Sequence, residues 1–400
     1  MSVEALQAFE RGNIWRLTIA QALAGANAAV VYATGAIVGN ILAPSKALAT
    51  FPISIFVVGM ALSTLPVGAV AHRYGRRTAL LVGTTCGVLV GLFGALGVLL
   101  GSFWLYCFGM FFGGAYNAVV LTFRFAAADC VSPDRRARAL SAVMAGGVAA
   151  GVIGPQLVTL TMDIWQPYMF AATYLAQAAV ALLSAIVLLG VRIPPLSTPG
   201  SDGGRPLAVI ARQPRFIIAV ICGVVSYLLM NFIMTSAPLA MRLCGLSQVS
   251  SNLALQWHVI AMYAPSFFTG RLITRFGAPR VVFAGLLLTG MSAAVGLTGV
   301  DVGHFWAALI LLGLGWNFGF IGASALVLET HRPEEKAKVQ SFNDFLVFGT
   351  MVIGSFSSGG LLTAYGWDLV CWIAFPPLAV AILSLSFMRL AKGEAASAGP

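Results

Sequence analysis

Apolar residues run along this chain in long blocks, and short polar clusters separate them at intervals of about two dozen residues. At 1.5 Å rise per residue, a helical run of 18 or more apolar residues crosses the roughly 30 Å core of a bilayer. The pattern predicts twelve spans, at 14–41, 48–71, 79–99, 102–127, 138–160, 167–190, 215–241, 252–274, 280–299, 303–328, 340–363 and 367–390. The breaks carry turn and charge signals: "APSK", "HRYGRRT", "SPDRRAR", "TRFGAPR" and "HRPEEKAK". A Pro-, Gly- and Ser-rich segment, 192–214, has no apolar periodicity and reads as a linker between a six-helix bundle at 1–191 and a second at 215–400.

Composition agrees with the pattern. Of 400 residues, 59% are hydrophobic and 9% charged, where soluble domains carry about 25% charge. The expected fold class is therefore an all-α membrane protein in contact with lipid. The first span is too long for a signal-peptide core and lacks a cleavage site, so it is read as retained. Placed on twelve spans, 19 of the 23 Lys and Arg fall at the face that holds the termini and the linker. Arg124 and Arg271 lie within spans near that face, and only Lys46 and Arg242 lie opposite. The positive-inside rule makes the first face cytoplasmic, in a bacterial inner membrane with both termini inside. The net charge of +10 then reports topology and attraction to anionic lipid, and no nucleic acid is expected as a partner. The six scattered cysteines read as small packing residues.

The two bundles repeat each other in sequence. "YNAVVLTFRFAAADCVSPDRRARALS" from 116 lies over "WNFGFIGASALVLETHRPEEKAKVQS" from 316 without a gap, matching Asn117 to Asn317 and Asp129 to Glu329. "GAVAHRYGRR" from 68 lies over "GRLITRFGAP" from 270, matching Gly68 to Gly270, Arg73 to Arg275 and Gly75 to Gly277. Repeats of this kind build carriers that hold a solute at the repeat interface.

Twelve spans in two repeats, a central linker and the loop "GAVAHRYGRR" together resemble the major facilitator superfamily. The resemblance implies two pseudo-symmetric six-helix bundles rocking by alternating access, and a loop that forms part of a cytoplasmic gate. It implies that Arg76 meets Asp129 at the end of span 4. Where the family carries an Asp this chain has His72, and the acid stands instead at Asp344 in "SFNDFLVFG"; the expectation is a charge exchange, with His72 or Arg73 opposing Asp344, against the alternative that His72 is a solvated loop residue. Arg124, one turn before Asp129, is expected to pair internally. Span 5 carries a partial Gly-Pro pattern, "GGVAAGVIGPQLV", like that of drug:proton antiporters, although Ala150 and Val158 depart from it and "FGMFFG" in span 4 lacks that branch's Arg.

Four of the eight asparagines, Asn27, Asn117, Asn231 and Asn317, fall near the middle of spans 1, 4, 7 and 10. In the resembled fold these spans line the central cavity. Buried amides either tie helices together, at roughly 0.6 to 2 kcal/mol per contact, or face a solute. The quartet's symmetry favours the second role, with Tyr116, Trp316, Tyr32, Tyr227, Trp257 and Tyr263 as aromatic faces that can stack on a planar or amphipathic solute. His258, Asp129 and Asp344 are the groups able to carry a coupling proton; no other cofactor is expected. No phosphate-binding G-x-x-x-x-G-K-[ST] loop, H-E-x-x-H or His/Cys cluster occurs, so an enzyme or non-transporting sensor is the weaker class. The reading is a monomeric secondary transporter of a small, weakly charged organic solute, with an exporter of amphipathic drugs as the alternative.

Overall fold

In the computed structural model, residues 3–132, 136–193, 205–332 and 335–397 are described; the side chains of His72 and Arg124 lie outside the described residues. Backbone polar groups have no partner in hydrocarbon, so a spanning chain satisfies them within itself. Accordingly the described residues form helices and no strand.

The first set comprises α1 (Val3–Leu42), α2 (Phe51–Tyr74), α3 (Arg76–Leu99), α4 (Phe103–Val120), α5 (Phe123–Asp129), α6 (Arg136–Thr161) and α7 (Ala171–Leu189). A short helix, α8 (Leu207–Ala211), stands within the segment read as the linker. Its apolar Leu207 and Ile210 give it a packing face, and Ile210 is fully buried. The second set comprises α9 (Pro214–Leu243), α10 (Gln248–Tyr263), α11 (Ser266–Phe276), α12 (Ala278–Thr298), α13 (Val302–Leu328), α14 (Lys336–Trp372) and α15 (Phe375–Ser397).

Ten helical segments among the described residues are long and apolar enough to cross a membrane. At span 8 the difference from twelve has a physical cause. Predicted span 8 is broken into α10 and α11, because Pro265 has no N–H to continue the ladder. Predicted span 11 forms the first part of α14, which bends at Gly366 (φ 82°) before the next span begins. Predicted span 4 is likewise interrupted at Leu121 and Thr122, between α4 and α5.

Within the first set α1 packs on α6 and α7, α2 on α4, and α3 on both α4 and α7. Within the second, α13 packs on α9, α10 and α12, while α14 and α15 pack on α9. Small residues permit these approaches: a Cβ at Gly114 would fall on the Phe56 carbonyl of α2, and one at Gly285 on the backbone of Gly319. Leu65, Leu182, Ile186 and Phe387 are more than half exposed. Such an apolar surface is a liability in water and ordinary against lipid tails.

The sequence repeat has a backbone counterpart. Gly75 between α2 and α3 and Gly277 between α11 and α12 adopt nearly the same conformation, φ 87° and 84° with ψ 154° and 146°. A positive φ is strained for a residue with a side chain, so the reversal into the next helix calls for glycine at both places. Arg73 and Arg275 also match, each guanidinium lying over the following aromatic ring at 5.4 and 5.3 Å.

Candidate solute-binding site

The two sets meet through α1 with α9, α2 with α14, and α6 with α10. The hydrogen bonds that cross between them concentrate at the face opposite the N-terminus, here the far face. Ser54 donates to Ser355 at 3.1 Å, Ser358 to Thr50 at 3.4 Å, Asn252 to Thr159 at 2.9 Å and Gln156 to Gln256 at 2.8 Å. Closest to the molecule's middle, the Tyr32 hydroxyl donates to Asn231 Oδ1 at 2.8 Å. The face that holds the N-terminus is here the terminal face.

Below this seal lies a cavity lined by both sets of helices. Tyr32, Tyr227 and Tyr263, methionines 60, 230, 234 and 262, and the amides Gln21 and Asn117 line it. No carboxylate, Lys, Arg or His is among the described lining residues.

The asparagine quartet separates into different roles. Asn117 lines the cavity; its Nδ2 donates to Met60 Sδ at 3.2 Å, and its oxygen has no protein partner among the described residues. Asn27 is buried in helix packing, donating to the Gly113 carbonyl at 3.1 Å and accepting from Gln177. Asn231 holds the seal with Tyr32, its Nδ2 buried without a partner among the described residues. Asn317 repairs the break in span 8. Its Nδ2 donates to the Met262 carbonyl at 2.6 Å and to Ser266 Oγ at 2.8 Å, and its Oδ1 accepts from Thr269 at 2.6 Å.

Repeat symmetry explains why Asn117 and Asn317 differ. Gly68 and Gly270 are offset by 202, and the same offset carries Met60 onto Met262. Both asparagines therefore face the same methionine position. In the second set Pro265 opens the helix and offers a backbone carbonyl; in the first, α2 is unbroken there and offers only a thioether, a weak acceptor. Asn317 is fully used by the protein, whereas Asn117 retains capacity for a solute.

The predicted aromatic contacts also divide. Tyr227 lines the cavity, and Trp316 stands behind it, edge-on at 5.6 Å and stacked on Phe320 at 5.4 Å. Tyr116 is buried against Gly87 and lines a separate, much smaller space with Asn27 and Gln177. Trp257 is 44% exposed on the outer surface, two residues from both Leu255 and Val259 of the cavity face and so on the opposite side of α10. His258 is fully buried in helix packing, its Nδ1 donating to the Leu309 carbonyl at 2.7 Å. Neither reaches the cavity, which corrects both expectations. Tyr32 and Tyr263, expected as further aromatic faces, line the cavity with Tyr227; Gln21 was the amide that sequence reasoning did not place in the site, and the four methionines, at 60, 230, 234 and 262, carried no signal apart from core residues.

Of the expected gate residues, Arg76 and Asp129 form an ion pair joining the start of α3 to the end of α5. Arg73 is exposed over Tyr74 and makes no ion pair among the described residues. Asp344 Oδ1 accepts from its neighbour Asn343 at 3.2 Å. Gly68 and Gly270 each have open space where a Cβ would stand. Glu329 is exposed, because its expected partner position is Ala278 rather than an arginine. The second set uses Glu335 instead. Its fully buried carboxylate accepts from the Arg205 backbone at 2.8 Å, from Arg205 Nε and Nη2 at 2.9 and 2.8 Å, and from the Arg332 backbone at 2.9 Å. The Arg205 bonds hold this carboxyl well below the usual carboxylate range.

A multi-pass helical chain with a cavity between two repeats has the layout of a carrier, and its relatives are carriers. A model of the Major Facilitator Superfamily matches residues 17–262 and again 219–399, and the chain belongs to that family. It is 46% identical to the riboflavin transporter RfnT of Brucella anthropi, over 97% of this chain and 98% of that one. It is 30% identical to the MFS-type transporter YdeG of Bacillus subtilis, over 90% and 87%. A shorter likeness, 25% over 38% of each chain, relates it to multidrug resistance protein 2 of Bacillus subtilis. The chain is a secondary transporter of a small organic solute, not an enzyme.

Proposed function

We propose that this protein carries riboflavin or a closely related flavin across a bacterial inner membrane by alternating access. The observation that carries the reading is the cavity itself: three tyrosines and four methionines around two amides, with no charged side chain among the described lining residues. A fused heteroaromatic ring with a neutral polar edge and a hydroxylated tail matches such a wall. Polarisable thioethers and tyrosine faces hold the ring, and amides meet its edge. The relative named as a riboflavin transporter supports the same class.

In this reading the halves at 1–191 and 215–400 rock about the cavity, joined by the linker at 192–214. The far-face hydrogen bonds make the present arrangement one closed at the far face. The positive-inside distribution supports placing the terminal face in the cytoplasm, so the cavity faces inward. No carboxylate or histidine is among the described lining residues, which favours movement down the solute's own gradient over proton coupling.

Reconstituted proteoliposomes test this. Radiolabelled riboflavin is expected to enter protein-containing vesicles saturably and to stay out of empty ones; equal slow leakage into both would overturn the reading. The methionine-rich wall also favours a second reading, export of amphipathic drugs, because Met-lined surfaces adapt to many shapes. Competition of the riboflavin flux by unrelated cationic and neutral dyes would favour that alternative.

A further inference from the structure

The cavity has two unlike walls, and each comes from a different set of helices. On the side of α9 and α10 stand Tyr227 and Tyr263, both edge-on to Trp316 at 5.6 and 6.1 Å. Tyr227 also meets Phe320 at 4.9 Å and Phe348 at 5.5 Å. Rings packed edge-to-face at these distances form a stiff shelf for a planar solute.

On the side of α1 and α4 stand the amides. Most amides in the spans are committed to protein partners: Asn27 to Gly113, Asn317 to Met262, Gln156 to Gln256. Gln21 has no hydrogen bond to a described residue, and Asn117 has only the thioether of Met60. The Asn27 to Gly113 bond fixes the register of α1 against α4, which run in opposite directions in the span order. One turn toward the terminal face from that bond reaches residue 23 on α1 and Asn117 on α4. Gln21 is two residues further, about 3 Å along the axis. The two amides thus stand at nearly one level of one wall, and an amide presents a donor and an acceptor together.

We propose that Gln21 and Asn117 are the specificity-determining pair of the site, reading the imide edge of a fused heteroaromatic ring whose face rests on Tyr227 and Tyr263. This deepens the proposed flavin transport and rests on it. An imide offers an N–H between two carbonyls, and two carboxamides complement it with one acceptor and two donors. Because the edge belongs to α1 and α4 and the shelf to α9 and α10, a solute with both features bridges the two sets. A planar solute lacking the imide engages the shelf alone.

The test is equilibrium binding to the purified full chain by flavin or acridine fluorescence, with riboflavin, 3-methylriboflavin and acridine as probes. The wild type is expected to bind 3-methylriboflavin about tenfold more weakly than riboflavin, the scale of one hydrogen bond. The Gln21→Ala/Asn117→Ala double variant is expected to bind riboflavin about as weakly as the wild type binds 3-methylriboflavin, to lose the discrimination between the two, and to bind acridine as the wild type does. Equal wild-type affinities for riboflavin and its 3-methyl form would overturn the proposal while leaving riboflavin transport intact, and that comparison stands even where the double variant does not fold. Absence of riboflavin binding to the wild type would overturn the transport reading and this proposal together.

Discussion

The Tyr32 hydroxyl of α1 donates to Asn231 Oδ1 of α9 at 2.8 Å, so one residue both lines the cavity and bonds to the opposite set of helices. Its ring also packs edge-on against Phe56 at 5.6 Å. Tyr32→Phe keeps that packing and removes the bond, leaving Asn231 with no hydrogen-bond partner among the described residues. The expected outcome is a shift toward separation at the far face. Spin labels at Lys46→Cys and Tyr365→Cys, both exposed positions, in a Cys244→Ser background measure it. A longer or broader distance distribution than in the parent is expected; an unchanged one would remove Tyr32 from the seal.

Asn117 and Asn317 are expected to respond oppositely to truncation. Asn317→Ala leaves the Met262 carbonyl, Ser266 and Thr269 without their partner beside an already broken helix. Several buried bonds lost together cost on the order of 2 kcal/mol, read as a melting temperature lower by several degrees. Asn117→Ala loses only a contact to sulfur, so its melt should match wild type while solute binding falls. Equal destabilisation by both would sink the division of roles.

The Arg205–Glu335 contact gives a pH dependence with a defined sign. Glu335 has a folded-state pKa depressed by Arg205. Its contribution is therefore fully present above the unfolded value, about 4.3, and is lost progressively as pH falls below that. Hydrogen exchange of α8 and the segment leading into it is expected to quicken between about pH 4 and 3 in wild type. In Glu335→Gln it should be fast already at pH 7 and lack the acid step.

Arg76 and Asp129 pair across a partly exposed contact, with 23% and 32% of their side chains accessible. Such pairs contribute roughly 0.2 to 1 kcal/mol, so neither single neutralisation should unfold the protein. Arg76→Asp and Asp129→Arg are each expected to slow vesicle flux several-fold without changing riboflavin affinity, and the double exchange to recover most of it. A double variant as slow as the singles would mean that the pair does not act as a unit.

Much of this architecture is legible from residue order, because the bilayer punishes any unsatisfied backbone. The repeat could be read for the same reason that it works: Gly75 and Gly277 must both adopt a positive φ, so both stay glycine. The site was less legible. Asn27, Asn117, Asn231 and Asn317 look alike along the chain, yet three are engaged in helix packing or the seal and one keeps an oxygen free for the cavity. Trp257 looked like an aromatic contact, but a helix turns 100° per residue and points it outward.

The sequence by itself determined the solvent of this protein, the division into spans and the repeat that places a cavity between two sets of helices. Those follow from local hydrophobic runs and glycine positions, which need no knowledge of neighbours. Only the tertiary structure decided which polar side chains are free. Whether an amide is glue or recognition depends on what stands opposite it: a carbonyl released by Pro265 beside Asn317, a thioether of Met60 beside Asn117. That difference lies in the partner helix, and only packing brings the partner within reach.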